Sequence, residues 1–466
     1  MRPKAGTRPT TKGKLMATIA TGPSPRLVAF ASSILLAGVL AAARADELPM
    51  AKPAEVGLSA ERLARLDAAM QAEVDTGRKA GIVALIARRG RVAHLKAFGM
   101  AERESNAAMR TDSLFRLYSM TKPVTSVALL MLYEEGKFQL SDPLDKYIPA
   151  FKDVQVLAGM DGERMRLEAP RRKPTIHDVF RHTAGFSYGF NPQDPIDRVY
   201  AEKGVDFVTT TSLKQLVAEN LPKVPLLYHP GDRWVYSVAH DVQAYLVEYF
   251  SGMPFDEFCR TRIFEPLGMT DATFGVPKQY VQRYTANYAP SDPTNPAAPL
   301  VRVETREGVP PPGAPSGGPI GAGYARYTDI PFGGLSMSST AMDYARFGQM
   351  LVNGGELDGT RLLGTKTVEL MTMNNLPPNI PAISIGAPGL GSGGLGYGLG
   401  VSVTLDPARA GNVGSKGTFG WAGAASTWAI LDPEEDLVLI LMAQYMVADF
   451  DFAGRFQTLA YQAIVD

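Results

Sequence analysis

The segments with strand character lie at the two ends of this chain, and segments with helical periodicity lie between them. Near the start, apolar runs at residues 81–87 and 91–98 flank Arg88-Arg89-Gly90 and predict a β-hairpin. Four further runs predict three or four antiparallel strands in the last third, at residues 397–404, 417–421, 427–431 and 437–442. This pattern predicts an α/β fold in which one antiparallel sheet is built from both chain ends, flanked by helices, with an inserted and mostly helical lobe.

Helical spacing of apolar residues marks the other elements. Ser59 is the predicted N-cap of a helix that continues to about residue 75. The remaining predicted helices cover residues 124–135, 176–183, 239–250, 255–264, 340–352 and 452–464. We place all of them in one domain, residues 46–466, with an α/β lobe at about 50–118 and 332–466 and a helical lobe at about 119–331.

One segment is too irregular for a core element. Residues 281–331 contain ten Pro and six Gly. Long loops in compact proteins are usually lids or binding loops. We interpret this one as a lid over the substrate.

The N-terminal segment has the pattern of an export signal. Residues 1–45 carry seven Lys or Arg and no acidic residue, and the uncharged run 27–43 ends in Ala43-Arg44-Ala45. We expect cleavage after Ala45 and a periplasmic or secreted protein that does not contact the membrane; an uncleaved anchor is the alternative. The remaining chain has 40 basic and 47 acidic residues and no basic tract, which argues against a nucleic-acid partner.

The first candidate for chemistry is Ser119-Met120-Thr121-Lys122, which opens an apolar helix with Pro123 in its first turn. A spacing of three puts Ser119 and Lys122 on one helix face. A buried, uncharged lysine could take the proton of the serine hydroxyl and make it a nucleophile without histidine. The alternative from spacing alone is a capping serine beside a solvated lysine.

Other patterns point away from metal and from histidine chemistry. The five histidines form no metal motif and Cys259 is the single cysteine, so we expect no metal and no cofactor. We interpret His182 as a turn residue whose ring bonds nearby backbone. Residues 185–189 match Gly-x-Ser-x-Gly, but a helical pattern precedes Ser187 and a loop follows it, whereas a nucleophile elbow needs a strand before the serine and a helix after it.

Four motifs in a fixed order resemble a known family. They are the segment 114–126 around Ser119, His182-Thr183-Ala184-Gly185, Trp234-Val235-Tyr236-Ser237-Val238 after Pro230-Gly231, and Gly420-Trp421-Ala422-Gly423-Ala424. Together they resemble the family VIII carboxylesterases of the serine β-lactamase and penicillin-binding protein superfamily, whose fold is similar to class C β-lactamases. The resemblance covers nearly all of residues 46–466.

The resemblance implies roles for individual residues. Ser119 corresponds to the acylated nucleophile, and Lys122 and Tyr236 to the pair that moves its proton. The backbone N–H groups of Ser119 and Ala424 correspond to the oxyanion hole. Four further positions correspond to substrate-binding residues: Tyr118, Val238, Trp421 and Gly423.

Two of these positions differ from the β-lactamase and peptidase pattern. Val238 replaces an Asn, and Trp421 replaces a Lys that would hold a substrate carboxylate. We therefore expect a serine carboxylesterase acting on small to medium esters, with weak β-lactam hydrolysis. The alternatives are a β-lactamase or D-amino-acid peptidase of the same fold and a penicillin-binding receptor that is acylated without turnover.

Overall fold

The structure is a computed structural model that describes residues 47–207, 209–292, 294–295, 297–307, 330–383, 393–446 and 448–466. The predicted signal segment, residues 1–45, lies outside this range. The strands in chain order are β1 (Gly81–Arg88), β2 (Arg91–Glu102), β3 (Ala107–Ala108), β4 (Phe115–Arg116), β5 (Val156–Asp161), β6 (Arg164–Glu168), β7 (Thr273–Phe274), β8 (Asn287–Pro290), β9 (Leu300–Glu304), β10 (Met337–Ser339), β11 (Glu356–Leu357), β12 (Thr360–Arg361), β13 (Leu395–Tyr397), β14 (Ser402–Thr404), β15 (Phe419–Gly423), β16 (Thr427–Asp432) and β17 (Leu437–Ala443).

The helices surround these strands. In chain order they are α1 (Ala60–Asp75), α2 (Lys122–Glu134), α3 (Ile176–Phe180), α4 (Pro195–Glu202), α5 (Ala239–Ser251), α6 (Phe255–Cys259), α7 (Glu265–Leu267), α8 (Ala341–Val352), α9 (Thr365–Thr372), α10 (Pro407–Ala410) and α11 (Phe450–Tyr461). Two segments are π-helical, Gln215–Asn220 and Arg260–Phe264. Among the described residues, no helix is both long and apolar enough to cross a membrane.

The large sheet confirms the predicted fold class. Eight strands pair in the order β13-β14-β15-β16-β17-β1-β2-β3, so the first and the last long strands of the chain are neighbours. β1 and β17 are antiparallel, with Leu85 opposite Ile440. Every residue of β1 is buried, because its alternate side chains enter two different cores.

The two faces of the sheet are covered by different helices. α1 and α11 pack on one face, over Ile86 and Leu439. α8 packs on the other face against β1, β16 and β17, and beyond it α2 and α5 pack against each other. The end of β15 lies beside the turn that precedes α2, which places the third motif next to the first.

The boundaries of several elements differ from the sequence prediction. Residues 397–404 do not form one strand: they contain the last residue of β13, a turn at Gly400, which has φ +90°, and β14, which pairs with β13. Leu399 and Val401 in that turn are fully buried, so the apolar pattern continues through it. The helix predicted at 176–183 ends at Phe180, since His182 has a left-handed φ of +58°.

The predicted lid is fixed to the sheet over its described part. β8 and β9 form a hairpin within it. The Tyr288 N–H donates to the Gln444 carbonyl at 3.0 Å and the Met446 N–H donates to the Tyr288 carbonyl at 2.7 Å. These hydrogen bonds hold the hairpin against the chain that follows β17. Residues 308–329 lie outside the described range.

Candidate active site

Ser119 lies in a tight turn, Tyr118–Thr121, that runs directly into α2. Pro123 occupies the first turn of α2, where its missing N–H costs no helical hydrogen bond. Tyr118, just before the serine, has a left-handed φ of +47°. Such a conformation costs a tyrosine roughly 1–2 kcal/mol, so the surrounding contacts must hold this turn in shape.

Lys122 is fully buried and faces the serine. Its Nζ lies 3.1 Å from Ser119 Oγ and donates to the Gly334 carbonyl at 2.7 Å. Burial lowers the pKa of Lys122 to about 7, and the Asp241 carboxylate opposes that shift. Lys122 therefore exchanges its proton near neutral pH, and its neutral amine can accept the hydroxyl proton of Ser119.

Tyr236 covers the same lysine from the other side. Its ring centroid is 4.6 Å from Lys122 Nζ, and the Trp421 indole N–H donates to its hydroxyl at 3.3 Å. The Tyr236 and Trp421 rings are 5.5 Å apart. The structure thus brings Ser119, Lys122, Tyr236 and Trp421 together from three separate motifs.

The strand that carries the third motif approaches the nucleophile turn closely. A Cβ on Gly423 would lie 2.0 Å from the Leu117 carbonyl oxygen, so only glycine fits there. Thr427 Oγ1 donates to the same carbonyl at 3.2 Å. Ser119, Gly423 and Ala424 all line one cavity.

Two of the predicted substrate-binding residues do not face this cavity. Tyr118 is 2% exposed, and its hydroxyl donates to Glu304 Oε2 at 2.8 Å, because the left-handed backbone turns the ring inward. Val238 is 1% exposed and packs in the core where α5 begins. The prediction of substrate contact for Tyr118 and Val238 is therefore corrected. Trp421 and Gly423 do line the cavity.

Glu304 is the group that holds Tyr118. This carboxylate, at the end of β9, also forms an ion pair with Arg116 at 3.0 Å, and both side chains are almost fully buried. Asn287 donates to the Tyr118 hydroxyl at 2.8 Å. The hairpin of the predicted lid thus supplies a buried charge beneath the nucleophile turn.

We expect Glu304→Ala to lower the free energy of unfolding by about 3–5 kcal/mol, because it leaves the Arg116 charge buried without its partner. Urea denaturation followed by circular dichroism measures this change. The control is Glu61→Ala, which removes an exposed pair with Arg65 and should change the free energy of unfolding by less than about 1 kcal/mol. Equal midpoints for the two variants would contradict the assignment.

Two of the histidines, His182 and His240, are buried beside the candidate site. Burial lowers the pKa of His182 and of His240 well below the usual value. His182 Nδ1 lies 3.0 Å from Ser237 Oγ, so the ring contacts a side chain where backbone contact was expected. Its carbonyl accepts the Val235 N–H at 3.1 Å, which fixes the loop that presents Tyr236.

The Gly-x-Ser-x-Gly segment is a loop. Ser187 is 8% exposed and follows α3 without an intervening strand. Its N–H donates to the Tyr200 hydroxyl at 2.8 Å. The geometry of a nucleophile elbow is therefore absent from this described segment. No cluster of metal-ligating side chains occurs among the described residues either.

A cavity of about 840 Å³ starts at Ser119 and continues along β15 to α11. Its lining includes Tyr236, Trp421, Trp428 and Gln457. Within the described chain, Asp451 is the only charged residue that lines it. A cavity of this size is within the range of small-molecule binding sites.

The sequence prediction missed two neighbours of Lys122. Tyr188 places its ring 5.5 Å from Lys122 Nζ, and Asp241 carries a fully buried carboxylate in the first turn of α5. A carboxylate on the apolar face of the helix predicted at 239–250 could have indicated that Asp241 is buried near the site. Tyr188 had no such indication, because it lies in an irregular loop.

The sheet order and this grouping of serine, lysine and tyrosine together define a hydrolase of the β-lactamase fold. The sequence model of the family described as Beta-lactamase matches residues 66–463. The chain belongs to the beta-lactamase family.

Individual proteins are similar to this chain to different extents. Protein Rv1367c of Mycobacterium tuberculosis (strain ATCC 25618 / H37Rv) is 32% identical over 80% of this chain and 87% of its own length. Esterase EstB of Burkholderia gladioli is 33% identical over 48% of this chain and 54% of its own length. The solved structure of EstCE1, described as a hydrolase with promiscuous acyltransferase activity, has a TM-score of 0.71 at 24% identity and covers 86% of this chain and 98% of that one. The predicted resemblance to family VIII esterases is confirmed.

Proposed function

We propose that this protein is a carboxylesterase that hydrolyses uncharged esters through an acyl-enzyme on Ser119. The observation that carries the proposal is the buried Lys122 amine 3.1 Å from Ser119 Oγ at one end of a cavity without a cationic lining residue among those described. A β-lactam or a peptide C-terminus carries a carboxylate, and such a cavity offers it no positive partner. Binding of an uncharged ester avoids the free-energy cost of burying a carboxylate without a positive partner.

The proposed reaction assigns a step to each of these groups. Ser119 Oγ attacks the ester carbonyl carbon, and its proton passes to the Lys122 and Tyr236 pair. The same pair returns the proton to the alcohol oxygen as the bond to the carbonyl carbon breaks. Water then attacks the acyl-enzyme and releases the acid and Ser119. The Ser119 and Ala424 N–H groups are the proposed donors to the oxyanion.

We also propose export through the N-terminal segment.

Turnover of p-nitrophenyl butyrate and nitrocefin by the purified protein tests this function. We expect kcat/KM for the ester to exceed that for nitrocefin by about 10²-fold or more. Faster nitrocefin hydrolysis would make the protein a β-lactamase. A burst of one equivalent without turnover would make it an acylated receptor, and release of D-alanine from a cell-wall peptide with no ester turnover would make it a peptidase.

The far end of the cavity gives a way to test which esters fit. Gly454 lies in α11 at the cavity wall, and a Cβ there would find Asn412 Oδ1 as its nearest neighbour at 3.9 Å. The position therefore accepts a side chain without backbone strain.

We expect Gly454→Phe to lower kcat/KM for long esters by about tenfold and to leave p-nitrophenyl acetate hydrolysis unchanged, because the ring fills the cavity far from Ser119. Two substrate series, one with longer acyl chains and one with longer alcohols, measure the effect. The series that loses rate identifies the half of the ester that enters this part of the cavity. Gly454→Ala is the matched control and should keep the kcat/KM of the unmodified protein in both substrate series. Equal kcat/KM values for Gly454→Phe and Gly454→Ala in both series would contradict the prediction.

A further inference from the structure

Asp241 is buried beside the proposed catalytic groups without being one of them. Its side chain is fully inaccessible, and its Oδ1 accepts a hydrogen bond from the Gly334 N–H at 3.0 Å. Its Oδ2 is also buried and has no hydrogen-bond partner among the described residues. A carboxylate buried with so few partners is costly unless a positive charge compensates it.

Lys122 is the charge that compensates it. The Gly334 peptide connects the two side chains, because its N–H donates to Asp241 and its carbonyl accepts from Lys122 Nζ at 2.7 Å. Gly333 fixes this peptide further: a Cβ there would lie 2.3 Å from the His240 carbonyl oxygen, and its own carbonyl accepts from Thr125 Oγ1 at 2.7 Å. The connection is therefore rigid as well as short.

The two groups also shift each other's ionisation. Burial raises the pKa of Asp241 to about 6, and Lys122 opposes that rise. The other groups around Lys122 are the rings of Tyr236 and Tyr188 and the buried histidines His182 and His240, whose pKa values burial holds well below the usual range. Asp241 is thus the carboxylate that opposes proton loss from Lys122.

We propose that Asp241 is a positioning residue: it holds the Gly334 carbonyl on Lys122 and supplies the negative charge that retains the lysine proton. The inference rests on the proposed function, in which Lys122 is the base for Ser119. It explains why the fold keeps an otherwise costly carboxylate at this place.

The pH dependence of Ser119 phosphonylation by a fluorophosphonate probe tests the proposal without a known ester substrate. In this reaction Ser119 Oγ bonds to phosphorus, fluoride leaves, and the serine proton passes to Lys122. For the unmodified protein we expect the labelling rate to rise with pH through about 7, where Lys122 loses its proton. In Asp241→Asn the Gly334 N–H keeps an acceptor but the charge is gone, so the pKa of Lys122 falls. The rise should move to lower pH by about one unit or more.

Three further variants make the result specific. Asp241→Ser is a second neutral replacement and should shift the rise in the same direction. Asp343→Asn changes a different buried carboxylate, at the start of α8. In this variant the labelling rate should rise at the same pH as in the unmodified protein. In Lys122→Met, the infrared band of the protonated Asp241 carboxyl should titrate at higher pH than in the unmodified protein, and this measurement does not depend on how the Asp241 variants fold.

A labelling profile of Asp241→Asn or Asp241→Ser that coincides with that of the unmodified protein would overturn the proposal, as would an unchanged carboxyl titration in Lys122→Met. Failure of the probe to label Ser119 in the unmodified protein is a different outcome. It would count against the proposed function.

Discussion

Replacing Ser119 with alanine is expected to lower kcat/KM for p-nitrophenyl esters by about 10⁴-fold or more, because covalent catalysis loses its only attacking atom. The serine is partly exposed in the Tyr118–Thr121 turn, so its hydroxyl contributes little to packing. The melting temperature should therefore stay within a few degrees of the unmodified value. Steady-state ester hydrolysis and intact mass after fluorophosphonate treatment measure the loss of turnover and the loss of the covalent adduct.

Ser187→Ala is the matched control for this experiment. Ser187 lies in the Gly-x-Ser-x-Gly loop, and its backbone N–H, which the substitution retains, makes the bond to Tyr200. Its activity should remain within about threefold of the unmodified protein. The reverse result, loss of activity in Ser187→Ala and retention of activity in Ser119→Ala, would identify Ser187 as the nucleophile and reject the proposed mechanism.

Replacing Lys122 with methionine is expected to lower kcat/KM by about 10³-fold, because it removes the amine that lies 3.1 Å from Ser119 Oγ and takes its proton in the proposed mechanism. The methionine has a similar shape, but it leaves Asp241 buried without the lysine charge, so the variant should fold with a lower melting temperature than the unmodified protein. The expected combination is therefore a large loss of activity in a protein that remains folded at the assay temperature. Ester kinetics and calorimetry on the same preparation measure both.

Lys79→Met separates the role of this lysine from burial of a lysine in general. Lys79 is also buried, but it pairs with Asp449 at 2.7 Å, lies over the Tyr445 ring and is not among the residues that line the cavity. We expect this variant to lose stability and to keep its kcat. A similar loss of kcat in both variants would show that Lys122 acts through the fold alone.

The parts of the site that the sequence predicted are those set by local spacing. Ser119 and Lys122 are three residues apart at a helix start, and their contact follows from helical geometry. A sheet built from both chain ends was predictable for a similar reason, since its main strands are apolar runs bounded by turns. Motif order then supplied Tyr236 and Trp421, which spacing alone could not connect.

The parts that were missed depend on backbone direction and on distant pairing. Tyr118 is adjacent to the nucleophile in sequence, yet its φ of +47° sends the side chain to Glu304. That carboxylate comes from a proline-rich segment whose composition predicts only a loop. Asp241 is similar, because its role depends on a peptide 93 residues further along the chain. No local pattern records such contacts.

The pairing of β1 with β17 has a consequence for how the chain acquires its structure. Leu85 and its partner Ile440 belong to strands at opposite ends of the sequence, so the centre of the sheet forms only when nearly all of the polypeptide is available. Contacts between residues so far apart in sequence slow folding, because a long loop must close before they form. During synthesis, the apolar β1 segment is therefore made long before its partner. Until then this strand must be shielded from aggregation by something other than its native neighbour.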